Sequence, residues 1–284
     1  MREPQNKAFP IKSTLNCGGN LLDLSEPKVM AILNVTPDSF FDGGQYSNIN
    51  AVLRQVEKHI SEGAAIIDIG AVSTRPGSET VSISEELNRL IPAIDAICRT
   101  FPEVIISADT YRGKVAKKAS ESGATMINDI SGGTLDQDMF KTIAELQLPY
   151  VMMHIQGTPQ TMQINPSYHD LLTEVFDFFK TRVHELQSMG AKDIIIDLGF
   201  GFGKTLDDNF ELLKNMQKFQ VLGCPLLAGL SRKSMINKVL GTKAKEALNG
   251  TTALNMLALQ NGANLLRVHD VKEAMECIQI ASKI

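Results

Sequence analysis

Short apolar runs recur along the chain, each ending in polar side chains and each followed by a longer amphipathic stretch. Four of them sit behind the same phrase, in which a helical stretch closes on Gly-Ala: Gly63-Ala64 before AIIDIG, Gly123-Ala124 before TMINDI, Gly190-Ala191 before KDIIIDLG and Gly262-Ala263 before NLLRVHD. Glycine is the residue expected just past a helix, because the left-handed conformation that ends it strains a residue with a Cβ. A short, continuous apolar run between helices reads as a parallel strand buried on both faces. The glycines are 60, 67 and 72 residues apart, room for two strand-and-helix units in each interval. The intervening strands are VIISAD (104–109), PYVMMH (149–154) and PLLAGLS (225–231), and VMAILNV (29–35) opens the series. Helical segments run between them, such as Leu171 to Met189, where Leu172, Val175, Phe176, Phe179, Val183 and Leu186 make one apolar stripe. Eight such units in about 250 residues predict an α/β fold, a (β/α)8 TIM barrel; an open doubly wound sheet is the alternative. Residues 1–28 precede the barrel, and Ile11 to Leu24, centred on Gly18-Gly19-Asn20, predicts a β-hairpin. Its expected role is a plug over the barrel bottom, so that residues 1–284 form a single domain with the barrel starting at about residue 29.

Composition narrows the class. Apolar residues at 43% and charged residues at 21% are the balance of an ordinary globular protein, and 284 residues suffice for a sizeable core. A net charge of -4 with no block of Lys and Arg argues against a nucleic-acid surface. No apolar run approaches the roughly 20 residues that span a bilayer. Met1 to Pro10 lack the apolar core of a signal peptide, so a cytoplasmic protein is expected. Cys17, Cys98, Cys224 and Cys277 are far apart, without a CxxC pair, and read as buried reduced thiols.

A barrel of this kind keeps its reactive groups where the strands end. The ends read Asn34, Asp68, Asp109, Asn128-Asp129, His154, Asp197, Ser231-Arg232-Lys233 and Arg267-Val268-His269-Asp270. A single polar residue at a strand end commonly caps a loop, whereas a full ring of them predicts a polar pocket. The mixture suits a polar heteroaromatic ligand with an anionic group, since carboxylates accept from ring N–H donors and cations hold oxygens. Two connections, residues 34–48 and 71–82, are longer than the barrel requires and rich in Gly, Pro, Ser and Asp. Loops of that length commonly bind or cover a ligand. His59, His169 and His184 fall in helical segments and read as surface residues, and His154 as a residue behind the pocket wall.

The motifs NVTPDSFFDGG, STRPGS, ADTYR, INDISGG, DLGFGFGKT, GLSRKSM and RVHDV follow one another, from about Val29 to Val271, in the order and spacing of the dihydropteroate synthase family, which the chain closely resembles. The resemblance implies a folate-pathway transferase that condenses (7,8-dihydropterin-6-yl)methyl diphosphate with 4-aminobenzoate, giving 7,8-dihydropteroate and diphosphate. It further implies that the pterin lies on Asp109, Asn128, Asp197 and Lys233, with Met152 and Phe202 as apolar walls. The chemistry agrees: a 2-amino-4-oxo pyrimidine edge presents adjacent donors that Asp197 can accept in bidentate fashion, while Lys233 donates to the O4/N5 side. The diphosphate falls to Asn34, Thr74, Arg75, Arg267 and His269, with Mg2+ as the implied cofactor on Asn34. One protein oxygen is adequate there, because magnesium keeps several waters and takes its other ligands from phosphates. Arg267 and His269 are two apart on a strand end and point the same way. Ser231, Arg75 and Pro76 are implied to hold 4-aminobenzoate, with Arg232 either joining them or pairing near a helix end. The catalytic residues are then Arg75, Arg267 and His269, which stabilise the departing diphosphate. An SN1-like path follows, in which a pterin-methyl cation is trapped by a neutral aromatic amine beneath the first two loops. The family also implies a homodimer.

Other readings meet specific objections. The Walker pattern needs a glycine five residues before Gly203, and that position is Leu198. A Schiff-base aldolase would place its lysine inside a strand, whereas Lys233 follows Ser231-Arg232 in a loop. A pterin-dependent methyltransferase has no need of the STRPG and SRK elements. A non-catalytic pterin-binding paralogue would not be expected to retain every charged position. The sequence departs from the family pattern at Leu198, usually Pro, at Val72, usually acidic, and at Phe41, often Ser; Leu198 is the one placed to relax the loop that aims Asp197.

Overall fold

Strands and helices alternate along the computed structural model, which describes residues 11–35, 44–73 and 81–284. β1 (Thr14–Cys17) and β2 (Asn20–Asp23) form an antiparallel hairpin. The barrel strands follow as β3 (Lys28–Asn34), β4 (Ile66–Gly70), β5 (Ile105–Asp109), β6 (Met126–Asp129), β7 (Tyr150–Met153), β8 (Ile194–Asp197), β9 (Leu226–Ala228) and β10 (Leu265–Val268). All eight are parallel, each pairs with its neighbour in sequence, and β10 closes onto β3. The helices are α1 (Gly44–Ser61), α2 (Ile83–Thr100), α3 (Gly113–Glu121), α4 (Met139–Leu146), α5 (Leu171–Ser188), α6 (Leu206–Asn215), α7 (Ser234–Leu240), α8 (Leu248–Gln260) and α9 (Val271–Ala281). This is the (β/α)8 barrel expected from the repeating phrase. The four glycines of that phrase sit at φ of 101° (Gly63), 110° (Gly123), 99° (Gly190) and 86° (Gly262), in the region that disfavours a Cβ.

Alternation along each strand divides the core in two. One set of side chains, including Val29, Ala31, Ile67, Ile69, Ile106, Ala108, Ile127, Ile194 and Ile196, faces outward and packs under the helices with Leu90, Ile94, Val175 and Phe179. The other set faces the barrel axis: Met30, Ile66, Ile105, Met126, Val151, Ile195, Leu227 and Leu265 pack against Leu15, Cys17, Leu22 and Leu24. The hairpin therefore closes the end where the strands begin, as expected of a plug. Asn16 N–H donates to Asp193 Oδ2 (3.0 Å), and Lys12 pairs with the same carboxylate just before β8.

Two minor expectations change. His59 is buried (2% exposed), because its face of α1 turns toward the barrel, with Nε2 3.0 Å from Gln55 Nε2; His169 and His184 are exposed as expected. The four cysteines are unpaired thiols, and Cys98 is only partly buried. Among the described residues, no helix is long and apolar enough to cross a membrane.

Candidate active site

The interior positions turn polar toward the strand ends. Gly70, Asp109 and Asn128 stand side by side in register on β4, β5 and β6, and Asp68 lies two residues below Gly70. From β10, Arg267 reaches across the barrel mouth: Nε donates to Asp68 Oδ2 (2.7 Å) and Nη2 to Asp109 Oδ2 (2.6 Å). Asn128 Nδ2 donates to the same Asp68 oxygen at 3.0 Å, while the buried Asp68 Oδ1 has no hydrogen-bond partner. Asp68, in the sequence only one polar strand end among several, is thus the buried hub that joins Asn128 to Arg267.

A second group gathers on the far side of the mouth. Asp197 Oδ1 accepts the Gly199 N–H at 2.8 Å. Gly229 offers no side chain, and a Cβ there would lie 3.6 Å from Asp197 Oδ2 and 3.8 Å from Lys233 Nζ, so these two opposite charges share one small space. Lys233 donates to the Phe200 carbonyl and stands 4.7 Å from the centroid of the Phe202 ring. Phe202 packs beside Ile130, Met153, Ile155 and Met162. Met152, expected as a pocket wall, does not face the mouth: it pairs in register with outward-facing Asp129 and is fully buried in the layer under the helices. Met153 pairs with Asp197 and supplies the inward side chain. The correction follows from the two-residue period of a strand, which an unbroken apolar run conceals.

At the rim, Ser231 Oγ lies 3.0 Å from His269 Nδ1 and accepts the His269 N–H at 3.2 Å. The residues implied for 4-aminobenzoate and for diphosphate are therefore directly linked. Arg232 makes a two-pronged pair with Asp270 (2.9 and 2.6 Å) ahead of α9, the helix-end pairing that was one of its two readings. Asn34 ends β3 with its side chain exposed. Thr74, Arg75 and Pro76, Phe41, and most of the two long loops lie outside the described residues. Asp129 does not join the mouth, since it accepts from Tyr150 OH (2.6 Å), Ser131 and Gly133 on the outer face. Leu198 is buried in the outer core, and the Gly199 contact that aims Asp197 is intact beside it.

Burial sets the electrostatics. It drives the Asp109 carboxyl up to about 7, opposed by Arg267 and reinforced by the charges of Asp68, Glu86 and Asp129. Burial also raises Asp197, while Lys233 is the strongest influence pulling it back. Lys233 is brought down to about 8 by burial, with Asp197 opposing. Burial works against the Arg267 charge too, but Asp68 and Asp109 outweigh it and the guanidinium stays protonated. The mouth is a set of internal pairs, and a molecule with N–H donors and an anionic end can exchange partners with both halves of each.

Sequence reasoning also missed Glu86, Thr110 and Arg112. Glu86 (1% exposed) accepts from Thr110 Oγ1 (2.6 Å) and Arg112 (2.7 Å), fixing the chain that follows Asp109 to α2. A lone glutamate on an otherwise apolar helix face was the available signal.

An open-mouthed (β/α)8 barrel lined in this way defines a class, and residues 30–269 match the family of pterin-binding enzymes. Dihydropteroate synthases are among its relatives: that of Haemophilus influenzae is 43% identical over 268 residues, 94% of this chain and 97% of its own. The Escherichia coli K12 enzyme is 44% identical over 264 residues, 92% and 93% of the two chains. Among solved structures, Yersinia pestis dihydropteroate synthase in a sulfonamide drug complex superposes with a TM-score of 0.89 at 40% identity, covering 95% of this chain and 98% of that one. Xanthomonas albilineans dihydropteroate synthase with 4-aminobenzoic acid gives 0.89 at 38% identity, covering 95% and 97%. The chain belongs to the dihydropteroate synthase family.

Proposed function

We propose that this chain condenses (7,8-dihydropterin-6-yl)methyl diphosphate with 4-aminobenzoate at the mouth just described. The observation that carries the reading is the convergence of Asp109, Asn128, Asp197 and Arg267 from four strands, and of Lys233 from the loop after β9, on one opening. The pterin's amino and ring N–H groups are received by Asp197 and Asp109, its O4/N5 side by Lys233, and Asn128 gives and accepts beside them. Met153 and Phe202 wall the ring. When ring donors take over the Asp109 oxygens, Arg267 Nη2 is released toward the diphosphate, where His269 and Arg75 join it.

The donor set also fits magnesium. Among the described residues no three His, Cys, Asp or Glu side chains form a metal cluster, but the exposed Asn34 offers one hard oxygen, and such an ion takes its remaining ligands from water and phosphate. Asn34 would hold it, and it would neutralise charge on the phosphate oxygens. The reaction itself is a substitution at the pterin CH2: the C–O bond breaks, diphosphate leaves with the electron pair, the amine nitrogen bonds to carbon and then loses a proton. Arg267, His269 and Arg75 stabilise the departing charge, and the electron-rich pterin delocalises the positive charge of an SN1-like transition state. Ser231, with Arg75 and Pro76, holds the 4-aminobenzoate carboxylate. The same resemblance supports a cytoplasmic homodimer, and the sulfonamide drug complex of the Yersinia pestis enzyme supports reading this chain as a sulfonamide target.

Diphosphate release from the pterin substrate, measured with and without 4-aminobenzoate and with and without magnesium, tests this. One dihydropteroate per diphosphate, with both dependences, is expected; a protein that binds pterin yet releases no diphosphate under any of these conditions overturns it.

A further inference from the structure

Lys204 lies in the DLGFGFGKT motif but is not among the groups proposed to touch either substrate. Its side chain is buried (4% exposed) and turns back beneath the loop that follows β8. Nζ donates to the carbonyls of Gly199 (3.0 Å) and Phe202 (3.0 Å), and lies 3.3 Å from the His154 carbonyl and 2.9 Å from His154 Nδ1. An ammonium has three donors and no acceptor, so a cage made of acceptors is matched to the charged form. Burial and the Lys204 charge push His154 down to about 2, so its ring is neutral and Nδ1 can accept. The cage is tight: a Cβ on Gly199, at φ +69°, would stand 1.9 Å from the His154 carbonyl oxygen.

The loop held in this way delivers three groups to the mouth. Gly199 N–H meets Asp197, the Phe200 carbonyl takes Lys233, and the Phe202 ring lies beside that ammonium. We propose that Lys204 is a positioning residue for the pterin subsite: its ammonium gathers the carbonyls of Gly199, Phe202 and His154 so that the loop aims Asp197 and Lys233, and it adds one positive charge behind the Asp197 carboxylate to those of Lys233 and Arg267. The proposal rests on the assignment of Asp197 to the pterin. Facing Asp197 are Lys233 ahead of α7, Arg267 from β10 and Lys204 ahead of α6. Facing Lys204 are His154 after β7, Asp197, Lys233, and Asp208 in α6. Burial lowers Lys204 to about 7 against the pull of Asp197, so its charge responds in the range where pterin affinity is measured.

The test is Lys204→Met, with the Asp197 carboxylate followed by carbon-13 NMR, assigned through Asp197→Asn, and the affinity for 6-hydroxymethyl-7,8-dihydropterin measured against pH. Removing a positive charge beside a carboxylate favours its protonated form. The Asp197 midpoint is therefore expected to rise, and the acid side of the affinity profile to move with it toward higher pH. A KM for 4-aminobenzoate that stays unchanged is also expected. A residue that merely braced the loop would weaken affinity equally at all pH and leave the Asp197 midpoint in place, which would overturn the proposal. If Lys204→Met does not fold, the unsubstituted enzyme decides: the Asp197 carbon should show a second inflection at the pH where the Lys204 Cε titrates, and a single-step curve overturns the coupling. Should Asp197→Asn bind the pterin normally, the subsite assignment fails, while the NMR coupling is judged separately.

Discussion

The same eight strands build two chemically opposite ends. Where the strands begin, the inward positions are hydrocarbon, from Met30 and Ile66 to Leu227 and Leu265, and the hairpin seals them. Two residues further along, only about 7 Å of strand, the inward positions include Asp68, Ser107, Asn128, Asp197 and Arg267. Below, every contact serves burial and none needs to be exchanged. Above, charges are buried against one another, an arrangement that contributes little net stability after desolvation but leaves partners that a ligand can replace. The barrel keeps these tasks on separate layers of one set of strands, so changes in the two layers should have different consequences.

The largest effect is expected at the mouth. Arg267→Ala should lower turnover by ~10²-fold or more, the scale for one preorganised charge contact. It should also lower stability by roughly 3–5 kcal/mol, because Asp68 and Asp109 are left buried without their cation. Near-normal turnover in the purified variant would remove Arg267 from the chemistry. At the plug, Leu15 is fully buried, and Leu15→Ala should cost about 2–5 kcal/mol in denaturant unfolding with kcat unchanged while the protein is folded. A fall in kcat without a fall in stability would show that the two ends are not independent.

How far the sequence discloses each end follows from the same physics. Strands buried on both faces are apolar throughout, so all eight stood out, and the Gly-Ala phrase marked where helices stop. Asp109, Asn128, Asp197, Lys233 and Arg267 were legible because polar residues at strand ends break that apolar run and fall in motifs. The pairing of Arg267 with Asp68 was not: Asp68 lies 199 residues away, and the two meet only because β10 closes the barrel onto β3, next to which β4 stands. Lys204 was hidden because all but one of its contacts, that with His154 Nδ1, are backbone carbonyls, which carry no mark of residue type.

A smaller effect separates the mouth from ordinary stability. Folded Asp109 holds its proton up to about 7, against 3.8 for an unperturbed carboxyl. Between those values the folded state binds the extra proton, so the Asp109 contribution to stability falls as pH rises through that window. Ligand binding should run the other way, because the ionised carboxylate accepts ring N–H groups. Taking the pH from about 8 down to about 6 should weaken pterin binding by roughly tenfold, while chemical denaturation reports a gain from this group. Affinity and the Asp109-dependent part of stability, obtained by difference from Asp109→Asn, rising together with pH would contradict the assignment.

The narrowest contrast, between two neighbouring residues, is the sharpest test of the layering. Met152 and Met153 are adjacent, identical in composition and both buried, yet Met152 packs under the helices and Met153 stands in the mouth beside Asp197. Met152→Ala should therefore cost about 2–5 kcal/mol of stability and leave the pterin KM where it was. Met153→Ala should instead raise the pterin KM by roughly three- to tenfold, the loss of part of an apolar wall, with a smaller change in the unfolding midpoint. If the two effects were exchanged, β7 would be turned over by one residue, Val151 would leave the plug layer, and Asp197 would lose its apolar neighbour. Equal effects on both measurements would mean that the mouth and the helix layer are not mechanically separate at this strand.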